Sequence, residues 1–178
     1  AGTQISYSTD GGVTWSGTIP SIKDVGTVTV KAKAENADYV TAQCSYTLKV
    51  GKKPVTIAVN SASKTFGTAD PAFTGTVTGL VAAGDLGTIS YIRTNTTFNS
   101  AGAYPGVLTA NFTENGNYAV TVTKGDFTIE KSGALTVSCA GYDAVYDGGS
   151  HAPTASANVG AGTQISYSTD GGVTWSGT

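Results

Sequence analysis

Val28-Thr29-Val30-Lys31-Ala32-Lys33-Ala34 sets an apolar residue at every second position and a polar one between. That period belongs to a strand with one face toward a core and the other toward water. A helix would need apolar spacings of three and four, and no segment keeps such a period. The alternation returns at Leu135, Val137 and Cys139 and again through Ala42-Gln43-Cys44-Ser45-Tyr46-Thr47-Leu48. Gly, Asn and Asp recur between these runs as turn punctuation. The chain therefore reads as all-β, built from small Ig-like or sandwich modules, elongated as a tandem array. One short helical turn, around Gly79-Leu80-Val81-Ala82-Ala83, is the only helical candidate.

Composition narrows the function classes. Thr, Val and Tyr favour strands, and Gly, at 24 residues, favours turns. Charged residues make up 12% of the chain and the net charge is -2. That leaves no basic footprint for nucleic acid and no polybasic membrane patch. No apolar run is long enough to span a membrane and no signal peptide is visible. No membrane insertion is expected in this segment, and the composition suits an extracellular location. The absence of Met fits a piece of a longer polypeptide.

Ala1–Thr18, AGTQISYSTDGGVTWSGT, recurs without one change at Ala161–Thr178. Such identity marks a tandem array, and the chain reads as a window on a longer polymer of near-identical repeats. Residues 52–131 form one complete module. Residues 1–51 carry the C-terminal part of a split module, and 132–178 the N-terminal part of its next copy. Joining Thr178 to Ile19 through the repeat restores a domain of about the same length. The two modules look like diverged copies. Asp24-Val25-Gly26-Thr27-Val28 matches Ser100-Ala101-Gly102-Ala103-Tyr104, and Asn36-Ala37-Asp38-Tyr39 matches Asn115-Gly116-Asn117-Tyr118.

Lys64-Thr65-Phe66-Gly67-Thr68-Ala69-Asp70-Pro71, with Val55-Thr56-Ile57-Ala58-Val59 before it and Val77-Thr78-Gly79-Leu80 after it, resembles the MBG-type repeat of bacterial surface proteins. Ala101-Gly102-Ala103-Tyr104-Pro105 and Asn117-Tyr118 extend the likeness. Members usually carry K-x-Y-G-x-x-D-P, and Phe66 stands here for the usual Tyr. The split module, with Val145-Tyr146-Asp147-Gly148, resembles repeats that alternate with such domains. The resemblance implies sandwich-like stalk modules of secreted or wall-anchored adhesins, with no catalytic residues to carry over.

In the restored order Cys139 lies in the first strand of the split module and Cys44 in its last, and such strands are often neighbours. Two readings stand side by side: a disulfide, in keeping with an extracellular composition, or two buried free thiols. The middle module is expected to hold the two halves at opposite ends. Cys139 of one copy should then pair with Cys44 of the adjacent copy, never within one chain. The bridge would close a loop of about 65 residues, worth roughly 4 kcal/mol in the chain-entropy model.

Ser8-Thr9-Asp10-Gly11-Gly12-Val13-Thr14-Trp15 and its copy at Ser168–Trp175 fit the Asp-box pattern S-x-D-x-G-x-T-W. The resemblance to that sialidase motif implies a hairpin in which Asp10 and Asp170 cap turn amides. Gly12 and Gly172 supply an unusual φ, and Trp15 and Trp175 pack beneath. Stacking of Trp15 and Tyr7, with Tyr39 and Tyr142, on a glycan is the alternative to a core role for these aromatics. His151 reads as a solvated turn residue. No Ser-His-Asp set and no D-x-D-x-D loop gives a catalytic or metal site. A Lys64 isopeptide with Asn115 or Asn117 near Glu114 has no specific support.

The expectation is a non-enzymatic structural repeat of an extracellular bacterial fibre or adhesin stalk, needing no cofactor and partnered by its own next copy head to tail. A host or matrix glycan or protein would be met through another domain. Two alternatives are a carbohydrate-binding adhesin repeat and separate protomers joined by strand complementation.

Overall fold

A computed structural model describes residues 2–177, and all its regular structure is strand. In the N-terminal segment β1 (Gln4–Ser8), β2 (Gly26–Asn36) and β3 (Tyr39–Val50) form one antiparallel sheet in that order. Val30 lies opposite Tyr46, and Ala32 lies between Tyr7 and Cys44. The alternating apolar residues therefore share one face, of which only Val30 is fully buried.

The middle segment holds β4 (Lys53–Val59), β5 (Ala62–Thr65), β6 (Gly75–Thr78), β7 (Ser90–Arg93), β8 (Gly102–Asn111), β9 (Tyr118–Thr123) and β10 (Gly125–Glu130). They make two sheets, β6-β4-β9 and β5-β10-β8-β7. Val55, Ile57 and Val59 of the first share a core with Leu108, Phe127 and Ile129 of the second, and Phe73 meets the Phe127 ring edge-on at 5.6 Å. This is a small two-sheet sandwich.

The chain changes sheets between β9 and β10. Tyr118, Val120 and Val122 turn inward along β9, and Gly125, Phe127 and Ile129 do so along β10, so the period of two resets at Thr123-Lys124. Gly125 is required at this crossing. A Cβ there would stand 2.7 Å from the Asn60 carbonyl oxygen.

Residues 79–83 are not helical. Gly79 has φ +97°, and the segment runs into turns closed by Asp85 N to Ala82 O at 3.1 Å and Gly87 N to Gly84 O at 3.0 Å. Three glycines within nine positions make a helix unfavourable there.

In the C-terminal segment β11 (Val137–Ala140) pairs antiparallel with β12 (Thr154–Ala157), and β13 (Ser166–Tyr167) with β14 (Ser176–Gly177). Asn158 ties β12 back to the start of β11. Its Oδ1 accepts from Thr136 N at 2.8 Å and its Nδ2 donates to Ala134 O at 2.5 Å. The apolar residues Leu135, Val137, Val145 and Tyr146 stay exposed.

Candidate functional site

The Asp-box loop is a carboxylate ringed by donors. Asp10 Oδ1 accepts from Ser8 Oγ at 2.6 Å and from Val13 N at 3.0 Å, and Oδ2 accepts from Thr14 N at 2.9 Å and Thr14 Oγ1 at 2.5 Å. The Ser8 and Thr14 bonds hold its carboxyl well below the usual carboxylate range. Gly11 and Gly12 both have positive φ, at 82° and 102°. Trp15 Nε1 donates to Gly12 O at 3.0 Å, and the Lys33 ammonium stands 4.8 Å from the Trp15 ring centroid. Tyr7 and Ser16 close the loop with two backbone bonds of 2.7 and 2.8 Å.

The second copy makes the same loop without the sheet beneath it. Asp170 Oδ1 accepts from Ser168 Oγ, Val173 N and Thr174 N at 2.7, 3.0 and 2.9 Å, and Oδ2 accepts from Thr174 Oγ1. The Thr174 hydroxyl is the first cause of its lowered pKa. Gly172 has φ +92°, and Trp175 Nε1 donates to Gly172 O at 3.0 Å. The difference lies in the indoles: Trp15 is half-buried against β2, whereas Trp175 is exposed.

The K-x-F-G-x-x-D-P stretch closes on itself. Gly67, at φ +90°, turns the chain so that Asp70 returns to Lys64, 2.7 Å away. The same carboxylate lies 3.1 Å from Arg93 Nε on β7. Arg93 is buried, stacks 4.8 Å over the Phe127 ring and donates from Nη2 to Asn99 Oδ1 at 2.7 Å. Lys64 is thus engaged by Asp70, while Asn115 and Asn117 are engaged elsewhere. Asn115 Nδ2 donates to Asp85 O at 3.1 Å.

Asn117 joins the first two segments. Its Oδ1 accepts from Val25 N at 2.8 Å, its Nδ2 donates to Asp24 Oδ1 at 2.8 Å, and its own carbonyl accepts from Lys53 N at 2.9 Å. The next residue, Tyr118, donates its hydroxyl to Asp85 and accepts from Val81 N at 3.1 Å. That bond pulls the Asp85 pKa down and pushes the Tyr118 pKa up. These groups line a cleft of about 620 Å³ at the junction. Neither Arg93, Asp85 nor the bracing role of Asn117 stands out in the sequence; the match of Asn115–Tyr118 to Asn36–Tyr39 marks the turn but not its partner.

Cys44 on β3 and Cys139 on β11 are both free thiols and both exposed. They lie in different sheets, each on a segment with an uncovered apolar face. Tyr39 and Tyr142 are exposed, and Tyr7 is half-buried. His151 stacks on Tyr142 at 3.9 Å and pairs with Asp147 at 2.8 Å, so it is held rather than freely solvated. Among the described residues no three of His, Cys, Asp or Glu gather as a metal site.

The middle segment is therefore a two-sheet β module in which Asp70 ties Lys64 and Arg93, on the two outer strands β5 and β7 of one sheet, into a Lys–Asp–Arg cluster. Residues 55–128 match the family model of the MBG domain, YGX type, and this segment is an MBG-type module. Neither a curated protein nor a solved structure matches the chain at a significant level.

Proposed function

We propose that the chain is a non-enzymatic structural repeat of an extracellular bacterial fibre or adhesin stalk, giving length and mechanical resistance. The single observation that carries this reading is the identity of Ala1–Thr18 with Ala161–Thr178 around a complete MBG-type module. Adjacent segments are braced rather than strung loosely. Val50-Gly51-Lys52-Lys53 is a short connection, and Asn117 bonds across it to Asp24 and Val25. Bracing resists bending, and stability in such arrays adds over units and nearest-neighbour contacts. Cys139 of one copy bridged to Cys44 of another would limit extension under load.

Mass analysis of the native material with and without reductant tests the reading. A very large species that survives reduction supports one continuous tandem polypeptide. Collapse to units near 17.9 kDa on reduction replaces it with separate protomers joined through their cysteines.

A further inference from the structure

The two incomplete modules each carry what the other lacks, and the middle module supplies the pattern. Val137 pairs with Ala157 and Cys139 with Ala155, as Ile57 pairs with Val77 and Val59 with Gly75. β11 and β12 therefore repeat β4 and β6, register included. Ile5 pairs with Ala34 and Tyr7 with Ala32, as Tyr91 does with Ala110 and Arg93 with Leu108. Leu48 pairs with Val28 and Val50 with Gly26, as Phe127 does with Tyr104 and Ile129 with Gly102. β1, β2 and the second half of β3 therefore repeat β7, β8 and β10. The turns before them agree as well: Asn36 Oδ1 accepts from Asp38 N, and Asn115 Oδ1 from Asn117 N, each at 3.0 Å. Tyr39 thus stands where Tyr118 does, and the first half of β3 stands for β9.

Two ladders of the middle module have no counterpart among the described residues of the split one. They are the parallel pairs β4–β9 and β5–β10. In a restored split module both would join β3 to the C-terminal segment. The exposures report the missing partner. Tyr118, Val55 and Ile57 are 6%, 2% and 0% exposed, whereas Tyr39, Leu135 and Val137 in the same places are 76%, 58% and 62% exposed.

We infer that a second copy of this chain adds its β3 in parallel to the free edge of β11, with Gln43 opposite Val137 and Cys44 opposite Ser138, and lays its β2-β3 hairpin over Leu135, Val137 and Cys139, this chain's own Gln164–Ser168 standing in the place of β1. The inference deepens the repeat reading and rests on it. The middle module fixes the occupant, because its β9 and β10 fill the equivalent places. The duplication agrees: Ala161–Thr178 repeats the residues that precede Ile19, so the copy's Ile19–Val50 is the segment that continues this half. One rearrangement is required. β3 now runs along β2 for its whole length, whereas β9 parts from β8, so Tyr39–Cys44 must leave β2. The β2–β3 ladder is already irregular there, between Ala34 and Asn36.

The register sets Cys139 one residue beyond the partner of Cys44. Strands about 4.8 Å apart with a rise of about 3.3 Å put the two Cα atoms roughly 5.8 Å apart, within disulfide reach. In the middle module Thr123 is exposed where Val59 is buried, so the bridge requires Cys44 to keep the face it already shares with Ala32 and Tyr7. With glutathione disulfide as oxidant, one cysteine thiolate displaces glutathione to form a mixed disulfide. The second thiolate displaces the other glutathione, so two protein thiols become one disulfide and glutathione disulfide becomes two thiols.

The test extends the full chain by a second copy of residues 19–51, with the first copy's Cys44→Ser, in a glutathione redox buffer. The expected product bridges Cys139 to the appended cysteine, and β11 amides exchange at least about tenfold more slowly than in the unextended chain. Adding Val137→Asp should abolish both effects while the middle module keeps its exchange protection. Free thiols after equilibration overturn the register, and β11 amides that exchange as before overturn the strand addition. Neither result touches the repeat reading, which fails only if native material falls apart on reduction.

Discussion

Asn117 holds Val25: its side-chain carbonyl accepts the Val25 amide at 2.8 Å while its amide group binds Asp24 at 2.8 Å. One side chain thus satisfies two groups of the preceding segment, and its own backbone carbonyl takes Lys53 N from the connection. The brace sits on the turn that starts β9, so it is anchored in the sandwich. Asn117→Ala removes the two side-chain bonds and leaves the backbone bond. Each such bond contributes about 1 kcal/mol net. The Val25 amide should exchange about fivefold to tenfold faster, and small-angle scattering should show a wider spread of overall lengths. Unchanged scattering would mean that the brace does not set the angle between segments.

Asp70 neutralises two nearly buried cations, Lys64 and Arg93. Truncating it strands both, and breaking a buried pair in this way is costly because the remaining charge stays desolvated. Asp70→Ala should destabilise the middle module by about 3 kcal/mol, read as a lower midpoint in urea with an unchanged slope. Arg93→Met with Asp70→Ala should recover part of that loss, since Met can pack on Phe127 without a partner. A double variant no better than Asp70→Ala would reject the charge-stranding account.

Asp85 and Tyr118 give the middle module a pH window with two edges. The hydrogen bond from Tyr118 lowers the Asp85 pKa, so its contribution is complete above the ordinary aspartate value of about 3.9 and is lost as pH falls through the lower folded value. The same bond raises the Tyr118 pKa, so that contribution is complete below about 10 and is lost as pH rises through the higher folded value. Tyr118→Phe removes the alkaline edge and weakens the acid one. Thermal midpoints across the pH range should therefore flatten at high pH in the variant; an alkaline fall identical to wild type would assign that edge to other groups.

What the sequence discloses depends on how far apart the interacting residues lie. The all-β class follows from a period of two visible within seven residues, as at Val28–Ala34. The Asp-box loop forms identically at Asp10 and Asp170 because its donors sit within four positions of the carboxylate. The Lys64–Asp70 closure lies within one signature, yet its third member, Arg93, comes from another strand and carries no local mark. Asn117 and Asp85 act across separations that no period reports. Residues 79–83 read as a helical turn because of their apolar run, but the flanking glycines and Asp85 settle them as turns. Burial is the least readable property: Val55 is buried, whereas Leu135, at the corresponding distance before the matching pair of β11, is exposed.

Gly125 tests the crossing between the two sheets. A methyl group there would meet the Asn60 and Val59 carbonyl oxygens at 2.7 and 2.9 Å, both backbone atoms with little freedom to retreat. Gly125→Ala should cost about 1–3 kcal/mol, in the range of overpacked cores. Gly116→Ala, where nothing lies within 4 Å, serves as the matched control and should change the urea midpoint little. Equal effects at the two sites would mean that chain flexibility, not the close approach, explains the loss.

Trp15 and Trp175 are the same residue of the same loop in two settings, which separates local from tertiary effects. Trp15 has Lys33 over its ring and β2 beneath, while Trp175 is exposed. A chain carrying only Trp15, through Trp175→Phe, should fluoresce to the blue of one carrying only Trp175, through Trp15→Phe. Acid should act on both loops in the same range, because both carboxylates have depressed pKa values. The stabilisation from Asp10 is complete above about 3.9 and vanishes as pH falls through the lower folded value. Trp15 emission should hold steady down to about pH 4 and move red only in stronger acid. In Asp10→Asn the carboxylate is gone, so the emission should start redder and lose that acid step; an unchanged acid step would place its origin outside the loop.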